Sequence, residues 1–328
     1  MLSYLVILLD RTSVSFCHYP VTEAESKPIS LDNLKAGILF AMKENLMIQF
    51  VYPSYTLPKE YKQLIESIDH VKIMPYNSPD IDLADIVVYD DVDTMHTAHL
   101  FNSVSYVLRT TIHTFVSHEN EIYDILGNSI RLNVMFTDIE TVSDVTLNSY
   151  RDCLSRMSSK VEGMYVNGKN PQLNLLTDRM MLQSMNNCNA GDSTITLAPD
   201  GKFYLCPAFV YESQTAEQWG LGGPKDAPFS IGSLVDGLDI KNAQLYKLDH
   251  APICRVCDAY QCKRCIWLNR RMTMEVNTPS HEQCVIAHLE RNESRKLLYL
   301  LREHGQFLPE QEISEIDYLD PFDKVIAE

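Results

Sequence analysis

Between residues 254 and 265 the chain sets down two closely spaced cysteine pairs, Cys254-Arg-Val-Cys257 and Cys262-Lys-Arg-Cys265. A two-residue gap lets both sulfurs of a turn face one centre, which is the usual footing of a thiolate-held metal. Three further cysteines stand around them. Cys284 follows Pro279-Ser280, with Gln283 three residues after the serine. That pattern is a capping box, and it places Cys284 in the first turn of a helix, where the dipole favours a thiolate. The helix extends over Ala287–Glu303 to a stop at Gly305. Upstream, Cys188 and Cys206 bracket a hairpin pattern: Thr194–Leu197, the turn Pro199-Asp-Gly201, and Phe203–Leu205. Two tetrahedral sites take eight donors, and these cysteines supply one fewer. Either one site has a non-cysteine ligand or an open position, or one site alone is filled. A structural zinc ribbon is the competing reading.

The first half of the chain has a different texture. Tyr4–Leu9, Leu46–Tyr52, Val71–Met74, Ala84–Tyr89, Tyr106–Thr111 and Arg131–Phe136 read as strands. Helical stretches over Leu31–Asn45, Lys59–Asp69 and Val116–Leu126 fall between them. Leu147, Tyr150, Leu154 and Met157 lie at helical spacing. Strands alternating with helices predict a mostly parallel sheet covered by helices, and about six such units suggest a partial (β/α) barrel or an open doubly wound sheet. No strand is followed by a GxGxxG turn, which counts against a dinucleotide fold. Composition shifts near residue 160, at the turn-rich Val166-Asn-Gly-Lys-Asn-Pro171. The expected organisation is a barrel-like part over 1–164, a linker over 165–185, a cysteine-rich domain over 186–305 and an acidic tail over 306–328. That tail holds Ile313, Ile316, Tyr318, Leu319 and Phe322, with Val325 and Ile326 beyond them. The mixture predicts docking on the body rather than a free acidic tail.

Bulk properties narrow the function. The 328-residue chain is 45% apolar and carries a net charge of -16. A sizeable core can form, so the cysteines are not needed as staples. Excess negative charge argues against nucleic acid and anionic membrane as partners. The apolar N-terminal run lacks a basic flank and stops at Asp10-Arg11, so it reads as a buried first strand. Cytoplasmic residence is expected, and thiols there point to metal or redox chemistry.

The spacing Cys188, Gly201, Cys206, Cys254-x2-Cys257-x4-Cys262-x2-Cys265, Cys284 resembles the SPASM domain, which follows the radical SAM barrel in many peptide-modifying enzymes and holds auxiliary [4Fe-4S] clusters. The usual middle spacing of x2, x5, x3 is contracted here. The resemblance implies that Cys254, Cys257, Cys262 and Cys284 ligate one cluster. It implies that Cys188, Cys206 and Cys265 ligate a second, incomplete one. The fold class implied is α/β, a partial barrel followed by a small SPASM-like iron-sulfur domain with a C-terminal helix. The strand–helix order of the first half also resembles a radical SAM barrel, but the catalytic Cys-x3-Cys-x2-Cys is missing. The loop after the first strand reads Asp10-Arg-Thr-Ser-Val-Ser-Phe-Cys17-His18-Tyr19-Pro20, with Cys17 as its lone thiol. From Ile7–Tyr19 through Glu290–Arg295 the chain is similar to the CXXX repeat peptide maturase family of ribosomal peptide (RiPP) maturation.

The implied function is an iron-sulfur protein with one or two [4Fe-4S] clusters that binds a cysteine-containing precursor peptide. SAM binding and independent radical SAM activity are not expected. The alternative is a non-catalytic adaptor, stabilised by zinc or a cluster, that presents a peptide to a radical SAM partner enzyme. Cys17 is the candidate catalytic residue, as nucleophile, thiol relay or substrate tether. Cys153, on a helical face, reads as a packed core thiol. Arg255, Lys263, Arg264, Arg270 and Arg271 form a basic island read as counter-charge to thiolates or as a reader of an acidic leader. Trp219-Gly-Leu-Gly-Gly223 reads as a flexible loop with no phosphate-loop lysine spacing.

Overall fold

A computed structural model describes residues 2–22, 25–212, 229–305 and 312–322. The Trp219–Gly223 loop, Pro309, Val325 and Ile326 lie outside the described residues. In chain order the elements begin with β1 (Tyr4–Leu8), α1 (Leu31–Glu44), β2 (Met47–Val51), α2 (Lys59–Ile65), β3 (His70–Pro75) and β4 (Ile86–Tyr89). There follow α3 (Val92–Thr97), β5 (Ser105–Thr110), α4 (Ile112–Ser117), α5 (Glu119–Gly127), β6 (Arg131–Phe136) and α6 (Asp144–Val166). Next come β7 (Gln172–Leu173), α7 (Thr177–Met181), β8 (Thr194–Leu197), β9 (Lys202–Tyr204) and α8 (Ala208–Tyr211). The chain closes with β10 (Ser230–Ser233), β11 (Gly237–Leu238), α9 (Ile266–Thr273) and α10 (His281–Glu303). No helix among the described residues is long and apolar enough to cross a membrane.

The chain forms two compact units. The first comprises Met1–Val88 and Asn189–His250. Its parallel strands run β8-β1-β2-β3-β4, and β9, β10 and β11 add antiparallel beyond β8. The expected hairpin forms, and its first strand also extends the sheet beside β1, with Tyr4 opposite Thr194. β1 is buried along Leu5–Leu8, as a strand covered on both faces requires. Helix α1 starts on Ser30, whose side chain accepts from Asn33 N, and stops where Asn45 turns left-handed at φ 54°. Gly37 lets that helix sit close to the sheet. A Cβ there would meet Leu197 Cδ2 at 2.4 Å and Ile7 Cδ1 at 3.6 Å.

The second unit comprises Tyr89–Cys188 and Ala251–Glu328. Here β5, β6 and β7 pair in parallel, and Tyr106 opposite Leu132 sets the register. The long helix α6 buries Leu147, Tyr150, Cys153, Leu154 and Met157, the face that its periodicity predicts. Cys153 is fully buried, and burial pushes its thiol up to about 12. The stretch expected as a linker contains β7 and α7; their brevity hid them from any periodicity test. Between α6 and α10, Tyr150 OH donates to Glu290 Oε1 at 2.9 Å, and Gln261 Nε2 lies 3.4 Å from Oε2. Glu290 has no cation in this network, and burial raises its carboxyl to about 7.

Two expectations follow. Gly37→Val overpacks Leu197 and should cost about 1–3 kcal/mol in a urea or guanidinium melt; an unchanged midpoint would show that α1 shifts freely. The second concerns pH. Between pH 4.5 and 7 folded Glu290 keeps a proton that the unfolded chain releases, so its stability is full below that window and falls as pH rises through about 7. The loss is on the order of 3 kcal/mol. Glu290→Gln should flatten this slope, gaining on the wild type at pH 8 but not at pH 4; parallel stability curves for the two proteins would contradict it.

Candidate cysteine-rich site

The site is built on short turns held by backbone hydrogen bonds. Cys254–Val256 is a single 3-10 turn, closed by Cys257 N donating to Cys254 O at 3.2 Å. Cys262 N donates to Ala259 O at 2.9 Å, and Arg264 takes the left-handed conformation at φ 45°. These turns aim backbone amides at sulfur. Ala259 N lies 3.4 Å from Cys257 Sγ, and Arg264 N lies 3.4 Å from Cys262 Sγ. Cys265 is the N-cap residue of α9, without a side-chain cap hydrogen bond. Donors placed on sulfur suit a thiolate better than a thiol.

Cys284 enters from the first turn of α10. The cap is only half the expected box: Ser280 Oγ accepts from Gln283 N at 3.2 Å, but the Gln283 side chain donates to Asn269 Oδ1 at 2.8 Å instead of returning to the cap. Cys284 lies within electrostatic reach of Cys262, Cys254 and Cys257, and Cys262 within reach of Cys254 and Cys257. The four thiols expected as one ligand set therefore lie within electrostatic range of one another. Burial dominates their chemistry. It pushes Cys254 up to about 11 and Cys262 up to about 12, and it raises Cys257 and Cys284 as well. Without an added cation these groups stay protonated thiols at neutral pH. No three His, Cys, Asp or Glu side chains among the described residues are drawn in around one metal-sized centre.

Three buried guanidiniums surround this group. Arg264, 1% exposed, donates through Nε to Asn187 Oδ1 at 2.9 Å and acts to lower Cys254. Arg291, fully buried, grips Asp258 through Nε at 2.9 Å and Nη2 at 2.6 Å. Arg179 lies 3.6 Å from Asp258 Oδ2 and stacks 4.2 Å from the Tyr260 ring centroid. Two cations on one carboxylate leave a positive excess beside Cys257, and both act to lower its thiol. The expected basic island is thereby redistributed. Arg264 is interior, Arg271 is bound to Glu140 at 2.6 Å and lies over the Trp267 ring, and Arg255 is exposed. Arg179 and Arg291, absent from the sequence reading, are the cations that act on Cys257. His288 was also missed; its Nε2 lies 3.4 Å from Cys257 Sγ.

The second expected ligand set divides between the units. Cys188 belongs to the second, donates its N–H to Lys263 O at 2.9 Å and lies within electrostatic reach of Cys265. Cys206 belongs to the first unit. There Cys17 and Cys206 both bear on Tyr19, a buried ring stacked on Tyr211 at 5.7 Å. The Cys17 loop is organised by hydroxyls. Asp10 accepts from Thr12 N and Oγ1, Ser26 Oγ and Tyr55 OH, Ser13 Oγ donates to Val51 O, and Ser15 Oγ donates to Tyr19 O. Burial alone would raise Asp10, but these hydrogen bonds outweigh it and hold the carboxyl below its usual value.

No protein-family model and no curated protein matches this sequence. Among solved structures, the chain is similar to native anSMEcpe with bound AdoMet and Kp18Cys peptide, at a TM-score of 0.60 and 11% identity over 92% of this chain and 99% of that one. It is equally similar to native anSMEcpe with bound AdoMet and Cp18Cys peptide, at 0.59 and 11% over 92% and 100%. A polyhistidine-tagged anSMEcpe with bound AdoMet matches at 0.56 and 10% over 92% and 96%. These are structures of an anaerobic sulfatase-maturating radical SAM enzyme. At such identity the likeness is one of fold: the chain has the mixed α/β architecture of a radical SAM-like partial barrel.

Proposed function

We propose that this chain is an iron-sulfur protein of ribosomal peptide maturation, which binds a cysteine-containing precursor peptide through a SPASM-like cysteine-rich part. The observation that carries the reading is the grouping of Cys254, Cys257, Cys262 and Cys284, with backbone amides on the sulfurs of Cys257 and Cys262. The donors fit a [4Fe-4S] cluster in number and in softness. When bound, such a cluster supplies one-electron chemistry or an anchor for a substrate thiol. The chain's own part is electrostatic. Arg179 and Arg291 offset the negative charge of thiolate ligands, and the amides of Ala259 and Arg264 stabilise sulfur in its charged form. Cys188 and Cys265, within electrostatic reach of each other, are proposed as part of an incomplete second set, in which an open position suits a substrate cysteine. The fold likeness to structures solved with AdoMet and cysteine peptides supports peptide handling.

One observation favours a role without independent SAM cleavage. Ser13 and Ser15, in the loop after β1, spend their hydroxyls on backbone carbonyls, and Cys17 is the one thiol there. One thiolate does not hold a [4Fe-4S] cluster with a free iron for SAM. In this reading the barrel is a scaffold, and the protein presents its peptide to a radical SAM partner enzyme.

Anaerobic reconstitution should yield brown protein with about eight irons per chain if both sets fill and about four if only the complete one does. Cys284→Ala should remove about four of them. Colourless protein with stoichiometric zinc would overturn the cluster assignment. Reduced protein incubated with SAM should give no 5′-deoxyadenosine; product formation abolished by Cys17→Ala would overturn the scaffold reading.

A further inference from the structure

Helix α10 carries a row of polar side chains at His281, His288, Arg291, Arg295, Tyr299 and Arg302, intervals that fall on one helix face. Residues 312–320 lie along this face without regular secondary structure. Their contacts run antiparallel to the helix. Tyr299 OH donates to Glu312 Oε2 at 3.0 Å, and Arg302 Nη1 to Glu312 Oε1 at 3.3 Å. Arg295 Nε donates to Ile313 O at 3.1 Å, and its Nη2 to Glu315 Oε2 at 3.3 Å. Arg291 Nη2 donates to Ser314 O, the Tyr318 ring lies 5.9 Å from that of His288, and His281 Nδ1 meets Asp320 Oδ2. From His281 to Arg302 the helix rises about 31 Å. The opposing residues reach about 26 Å when extended. The segment is therefore a nearly extended strap.

The chemistry of this contact is that of peptide recognition. Two bonds go to main-chain carbonyls, which any sequence offers. The others go to carboxylates, and one apolar side chain, Ile313, is buried to 1% exposure as an anchor. The strap also forms one wall of a cavity of about 550 Å³, lined by Ile253, Val256, Cys257, His288, Tyr318 and Pro321. Its position thus bears on access to Cys257.

We infer that this face of α10 is a peptide-recognition groove held in cis by residues 312–320. An extended acidic segment of the precursor peptide takes the same contacts when it displaces the strap, opening the cavity beside Cys257. The inference rests on the proposed peptide-handling function and adds the docking surface and the charge of its ligand. Tethering gives the cis segment an effective concentration on the order of millimolar, so a competitor in trans binds far better once the strap is removed.

The test uses a fluorescent peptide of residues 311–322, titrated by anisotropy into the anaerobically purified chain lacking residues 312–328 and into the full chain. Saturable binding is expected to the shortened chain, with at least tenfold weaker binding to the full chain. Ile313→Asp in the peptide should weaken binding at least tenfold, and Arg295→Glu in the protein at least threefold. If the shortened chain does not fold, the full chain carrying Ile313→Asp, with its strap loosened, should gain binding of the wild-type peptide. No binding to a folded, strap-free or strap-loosened chain overturns the inference, as does equal binding to the intact chain. Iron content of the same preparations reports separately on the metal assignment, so the groove can fail while that assignment stands.

Discussion

Four cysteines whose thiols lie within electrostatic range of one another are the constraint on which the second unit turns. A thiol taken out of water resists ionisation, and each neighbouring thiolate adds repulsion. Cys254, Cys257, Cys262 and Cys284 all show the first effect, and Cys262 and Cys284 are raised further by the others. In the proposed reading, such a group becomes a soft-metal site once a cation enters. Much around it favours that outcome. Tight turns direct amides at sulfur, Asp258 is held by two arginines, and α10 delivers Cys284 from a capped first turn.

The same helix ties the thiols to the rest of the unit. Its buried side carries Glu290 to Tyr150 of α6, and Ser294 Oγ donates to Leu176 O just before α7. His288 faces Cys257, and the row from His281 to Arg302 holds the C-terminal strap.

Much of this was legible in the sequence where the signal was local. Strand–helix alternation gave the parallel elements of both units, and Ser30, Asn45 and Ser280 marked helix ends by cap chemistry. Cysteine spacing marked the two closely spaced pairs, and the resemblance grouped Cys284 with three of their members. What was hidden is long-range. Nothing near Arg179 or Arg291 in sequence says that both converge on Asp258, and the cluster of cations at 255–271 misdirected attention from them. The strap was readable only as an apolar-acidic mixture. Its partners appear as a face when α10 is wound up at 3.6 residues per turn.

The central claim is that the four neighbouring thiols hold iron as thiolates. Extended X-ray absorption at the metal edge of anaerobically prepared protein tests it most directly. The account predicts iron with sulfur neighbours and a second iron shell, retained when Cys17 is replaced and lost from this site when Cys262 is replaced. A zinc edge with sulfur neighbours and no iron shell, or iron ligated mainly by oxygen and nitrogen, would contradict it.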